Sequence, residues 1–106
     1  LEMCYKFSEE FKICCSLDPF YSPRWKQIST TNEYVISQPT LLLSTETYHT
    51  SPFIQEYKSA EVHEKFYSDL DAHNGKKNYN IYVKNSSHLN QCDLSLLFPH
   101  ILMLMN

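Results

Sequence analysis

"PTLLLSTE", residues 39–46, is the stretch on which the fold turns. Three leucines in a row between polar ends have neither the 3.6-residue spacing of a half-buried helix nor the strict alternation of a strand with one wet face. A short apolar run of this kind marks a strand covered on both faces, as in a parallel sheet with helices on either side. Upstream, "FKICCSL" at residues 11–17 is a second short apolar run. Asp18-Pro19 ends it, because proline lacks an amide donor and disfavours helix in the residue before it. Downstream, "YNIYVK" at residues 79–84 has the aromatic and β-branched content and the alternation of a third strand.

The connections complete an α/β pattern. Phe20 to Gln38, rich in Pro, Ser, Thr and aromatics without a helical period, is expected to be a long surface connection with one helical turn. Ser51-Pro52 offers an N-cap followed by proline at the first helical position. Apolar side chains at Phe53, Ile54, Tyr57, Ala60, Phe66, Tyr67 and Leu70 then predict a helix over 52–70, closed by His73-Asn74-Gly75. After the third strand, Asp93 is placed to cap a last helix through Leu94, Leu97, Phe98, Ile101, Leu102 and Met105, with Pro99 as a kink. Right-handed crossovers would set the three strands side by side and parallel. Such a sheet leaves two edges open, and a single glycine is few for a complete α/β fold. The expectation is about three parallel strands with flanking helices, incomplete as a stand-alone domain.

Bulk properties narrow the function. A chain of 106 residues is one domain, residues 1–106, and its 42% hydrophobic and 14% aromatic content is that of a globular protein. The net charge is −3, and Lys76-Lys77 is the one basic cluster, so no nucleic-acid partner is expected. Cys14 and Cys15 are adjacent and would point to opposite faces of a strand, so the four cysteines read as reduced, packed thiols. Neither C-x-x-C nor H-x₃-H spacing occurs, and no metal or cofactor is expected. Leu94 to Met105, broken by Pro99 and His100, falls short of the roughly 20 residues a membrane span needs. The start at Leu1-Glu2-Met3 carries no basic leader with a long apolar stretch, which reads as no signal peptide and as the middle or end of something longer; the compartment stays open.

In open α/β sheets reactive groups gather at the carboxyl ends of strands. Asp18 ends the first strand and His88 follows the third. An imidazole can take a proton from a hydroxyl when a carboxylate fixes its tautomer and stabilises the imidazolium. Asp then His is the rear part of a Ser-Asp-His triad in the chain order of α/β-hydrolases. Glu46, at the end of the second strand, is the rival acid.

Residues 81–95, "IYVKNSSHLNQCDLS", resemble the histidine segment of the platelet-activating-factor acetylhydrolases of the plasma and type II intracellular group. That family leads a strand into Ser-x-His and places an acid five residues beyond the histidine, where Asp93 stands here. Phe11 to Asp18 with Pro19-Phe20 is similar to the family's Leu-Asp block, and Gln38 to Glu46 to its Gln-Pro-Leu-Leu strand. The likeness spans residues 11–98. It implies the C-terminal part of an α/β-hydrolase fold, with Asp18 as the catalytic acid and His88 as the general base. It also implies a phospholipid substrate bearing a short or oxidised sn-2 acyl ester, with peripheral membrane or lipoprotein contact. Phe20, Tyr21 and Trp25, just past Asp18, are candidates for an acyl pocket, with surface packing against the rim as the stronger reading.

The chain departs from that pattern in two ways. Asp18 and His88 lie 70 residues apart, longer than the family spacing, with apparent insertions around 26–36 and 60–77 that read as surface excursions. The nucleophile is missing: a Gly-x-Ser-x-Gly elbow needs glycines, and Gly75 is alone. Ser87 is beside His88 with a diverging side chain, while Ser16 and Ser44 sit within strands. The serine and the oxyanion hole are therefore expected on upstream chain or on a partner polypeptide.

Overall fold

The computed structural model describes residues 1–52 and 59–88. Strands β1 (Cys14–Leu17), β2 (Thr40–Thr45) and β3 (Tyr79–Val83) form one parallel sheet in the order β1-β2-β3. Among the described residues the helices are α1 (Glu2–Lys6), α2 (Trp25–Thr30), α3 (Glu46–Thr50) and α4 (Ser59–His73). The chain is thus an α/β unit with β2 at its centre.

Register decides which side chains share a face. Ser16 pairs with Leu42 and Leu42 with Asn80, whereas Leu17 pairs with Leu43 and Leu43 with Ile81. Since side chains alternate along a strand, the first set and its neighbours form one face and the second set the other. On the first face Cys14 and Leu42 are buried in one cluster with Ile28 of α2, Ile36, and Val62, Phe66 and Leu70 of α4. On the second, Leu17 is 49% and Ile81 44% exposed, and Tyr79 and Val83 are exposed as well. Both strand connections contribute to the same face, as two successive crossovers of one hand must when strand order follows sequence order. β2 was expected to be covered on both faces; among the described residues Leu42 is sealed while Leu41 and Leu43 stay half-buried.

Two expected surface excursions prove to be core. In the first connection Tyr21, Ile28, Tyr34 and Ile36 are buried. In the second, Val62, Phe66 and Leu70 recur every four residues along one stripe of α4 and are all buried. The reason is coverage: a sheet whose connections share a face needs those connections to supply its inner layer. α4 runs three residues past the expected end, to His73. The Asn74 amide then bonds the Leu70 carbonyl at 3.0 Å and Gly75 follows with φ 65°, the left-handed conformation that stops a helix. The first turn expected after Pro52 and the helix expected after Asp93 lie outside the described residues. No helix among those described is long and apolar enough to cross a membrane.

Candidate functional site

The carboxyl ends of the strands bring Asp18 and His88 together. Asp18 follows β1 with φ 44°, a left-handed conformation that Asp tolerates better than most residues and that turns its side chain out of the pleat. Its amide remains in the ladder, donating to the Leu43 carbonyl at 2.9 Å. The carboxylate is 2% exposed and accepts three hydrogen bonds. Oδ1 takes the Thr45 amide at 2.7 Å and Oδ2 takes the Thr45 hydroxyl at 2.8 Å. His88 Nδ1 reaches Oδ2 at 2.9 Å. Because an ionised carboxylate only accepts, Nδ1 carries the hydrogen and Nε2 is left as the basic nitrogen. The imidazole is 69% exposed, so a buried acid orients an open base.

His88 is held from a second side. β3 ends in a turn with Asn85 at φ 55°, another left-handed residue of a type that accepts it. The turn docks on α3: the Thr47 amide donates to the Ser86 carbonyl at 3.2 Å, and the His88 amide to Thr47 Oγ1 at 3.3 Å. Glu46 takes part in this docking, its Oε2 accepting the Asn85 amide at 2.7 Å. That bond gives the rival acid a structural task, while the imidazole's carboxylate partner is Asp18. β2 also stops one residue earlier than expected, so Glu46 opens a helix instead of ending a strand. A depression of about 230 Å³ lined by Glu46, Thr47, Asn85 and Ser86 lies beside the histidine.

Tyr48 and Thr45 are the parts that sequence reasoning missed. Tyr48, buried on α3, donates its hydroxyl to the Pro19 carbonyl at 2.6 Å and so pins the turn that carries Asp18. Burial, and then the Asp18 charge, push its phenol well above the usual tyrosine range, which keeps it a donor. Deeper on the packed face, His63 is fully buried between the Tyr21 hydroxyl at Nδ1 and Asn80 Oδ1 at Nε2, both at 2.8 Å. Burial lowers its pKa, and the neutral ring with hydrogen on Nε2 satisfies both partners. Tyr21 is therefore chiefly a core residue, with one edge on the cleft that Phe20 also lines, whereas Phe20 itself is exposed. Ser44 Oγ lies 2.7 Å from His49 Nε2, but Ser44 is 1% exposed, and that hydroxyl is sealed from any ester. Ser16 lines a cleft of about 200 Å³ with Phe20 and Arg24, and Ser87 is buried. Among the described residues no three or more of His, Cys, Asp and Glu gather to hold a metal.

No family model matches the chain, and neither a curated protein nor a solved structure matches it.

Proposed function

We propose that this chain is the C-terminal part of an α/β-hydrolase-type serine esterase similar to the platelet-activating-factor acetylhydrolases. It supplies the acid and the base of a Ser-Asp-His triad. The observation that carries the reading is the 2.9 Å bond between Asp18 Oδ2 and His88 Nδ1, between a sealed carboxylate and an exposed imidazole at one end of a parallel sheet. In the proposed reaction His88 Nε2 takes the proton of a serine hydroxyl contributed by upstream chain or by a partner. The serine oxygen attacks the sn-2 ester carbonyl, and His88 returns the proton to the departing glycerol oxygen. Water, deprotonated by the same nitrogen, then releases the short acyl group. Asp18 stabilises the imidazolium at both stages, its charge held by the two Thr45 hydrogen bonds.

The test is complementation. The chain alone is expected to be inactive on a short-acyl phospholipid ester, and an N-terminal fragment bearing a Gly-x-Ser-x-Gly elbow is expected to restore turnover. A restored activity that survives His88→Ala would end the proposal.

A second reading is favoured by the open sheet face. Leu17, Tyr79, Ile81 and Val83 are exposed on one side of a three-stranded sheet with two edges, as in a non-catalytic module that docks into a larger assembly by sheet extension. It predicts stable binding to a partner and no gain of activity with any nucleophile-bearing fragment.

A further inference from the structure

The depression of about 230 Å³ beside His88 has no task in the reaction above, and its walls are chemically one-sided. It lies where α3 meets the turn after β3, between Glu46, Thr47, Asn85 and Ser86. Most donors along this junction are spent within the protein. The Thr47 amide goes to the Ser86 carbonyl, the Asn85 amide to Glu46 Oε2, the Ser86 hydroxyl to the Val83 carbonyl and the His88 amide to Thr47 Oγ1. What remains is chiefly acceptor capacity, led by the Glu46 carboxylate. An ionised carboxylate offers about four lone-pair sites. The Asn85 amide and the neighbouring Tyr82 hydroxyl leave part of that capacity for further donors.

The charge in this depression is uncompensated. Among the described residues no Lys, Arg or His pairs with Glu46. The cleft around Ser16 and Phe20 is the contrast, since its two charges, Glu2 and Arg24, pair with each other at 2.6 Å. Among the described residues no aromatic ring lines the depression beside His88. A quaternary ammonium has no N–H to donate and is held best by aromatic faces, whereas a primary ammonium is a compact charge with three N–H donors. Walls of carboxylate, hydroxyl and amide oxygens suit the second. In the proposed reaction His88 returns its proton to the departing alcohol oxygen, so a depression walled by the turn that carries His88 adjoins the alcohol side of the ester.

We propose that this depression is a subsite for a primary ammonium group on the alcohol portion of the substrate, with Glu46 as its counter-charge and the Thr47 and Asn85 oxygens as further acceptors. Its place on the alcohol side rests on the esterase reading above, while the preference for a primary ammonium rests on the lining alone. Glu46 then sorts alcohols by binding, through KM, and takes no part in proton transfer.

The full chain, isotope-labelled for NMR, is titrated with ethanolamine, choline and ethylene glycol while the amide signals of Thr47, Asn85 and Ser86 are followed. Ethanolamine is expected to shift them saturably, choline to bind at least about tenfold more weakly, and ethylene glycol to leave them in place. Glu46→Gln keeps an oxygen for the Asn85 amide and is expected to weaken ethanolamine by about tenfold or more, as when a hydrogen bond loses its charge. Should that variant fail to fold by circular dichroism, the ranking of the three probes on the unmutated chain decides. Choline binding as tightly as ethanolamine overturns the proposal, as does the lack of a saturable shift or a shift centred on other carboxylates. With a nucleophile-bearing fragment, a short-acyl phospholipid ending in ethanolamine should show a KM about tenfold below that of its choline counterpart, and Glu46→Gln should erase the gap. Equal KM values overturn the place on the alcohol side. Ethanolamine binding without restored turnover ends the esterase reading and leaves the ammonium site standing; restored turnover without ethanolamine binding does the reverse.

Discussion

Asp18 is asked to do two things with one carboxylate: satisfy the end of β2 through Thr45 and hold the His88 imidazole. Its replacements should separate the two. Asp18→Asn removes the charge that three donors share. Nδ2 in the Oδ1 place would face the Thr45 amide, and Nδ2 in the Oδ2 place makes the His88 ring accept at Nδ1, so that Nε2 carries the hydrogen. The variant should lose about 1–3 kcal/mol of stability, the cost of a buried group left without its partner, measured by urea unfolding. In the enzyme reconstituted with a nucleophile-bearing fragment, kcat should fall by about 10³-fold or more, as when a triad loses its charged acid. Glu46→Gln keeps an acceptor for the Asn85 amide and should change kcat by less than about threefold; the reverse ranking would move the catalytic acid to Glu46. Both candidate positions were legible in the sequence, since a residue before proline and a residue after a β-run fall at strand ends. Thr45 and Tyr48 were not, because their tasks depend on partners 27 and 29 residues away that no local pattern marks. His63 adds a pH dependence of definite sign. Its pKa is lower folded than unfolded, so the unfolded chain binds the extra proton. Its stabilising contribution is whole above the ordinary histidine value of about 6.5 and is lost as pH falls below it. His63→Gln should flatten that part of the stability curve in urea titrations between pH 5 and pH 8.

At the scale of elements, the strands were readable because each is a short apolar run bounded by polar or proline-containing stretches. The helices were readable in proportion to their length. α4 has fifteen residues and an apolar stripe, and its pattern was found; α1 and α3 have five each, too few for a period to show. α1 has no fully buried residue; Cys4 and Tyr5 pack partly buried against the core cluster, and the pairing of Glu2 with Arg24 and the Tyr34 hydroxyl fixes its start. The Arg24 hydrogen bond pulls the Glu2 carboxyl down to about 2, below its ordinary 4.5. A depressed carboxyl stabilises the fold above its unfolded value, so the anchorage of α1 should weaken as pH falls from 4.5 toward 2, read as faster amide exchange in residues 2–6. The joint between α4 and β3 is a second polar device that periodicity could not reveal. Asn74 and Asn78 exchange hydrogen bonds at 3.0 Å, and Asn78 Oδ1 also accepts the Thr40 amide at 3.1 Å, closing the start of β2. Asn78→Ala strands that buried amide and should cost about 1–3 kcal/mol in urea unfolding, with no change in the His88 site at the far end of the sheet.

At the scale of the whole molecule, the sheet has one packed face and one apolar face partly open to solvent, and this asymmetry bears on both functional readings. The row Leu17–Leu43–Ile81 crosses all three strands in register. Flanked by Tyr79 and Val83, it forms a continuous apolar surface of the kind that marks an interaction site on an otherwise polar protein. Ile81→Lys puts a charge at the middle of that surface without touching Asp18, Thr45 or His88. In sedimentation experiments the unmutated chain should associate with rising concentration, and Ile81→Lys should shift it toward monomer while its circular dichroism stays the same. A chain that remains monomeric throughout would mean that the face is covered from within. With a nucleophile-bearing fragment the same substitution should weaken assembly by about tenfold, equivalent to about 1.4 kcal/mol, yet leave kcat unchanged once the fragment is saturating. That split between affinity and turnover distinguishes a docking surface from a catalytic one. A fall in kcat at saturation would instead tie the open face to the geometry of the Asp18–His88 pair.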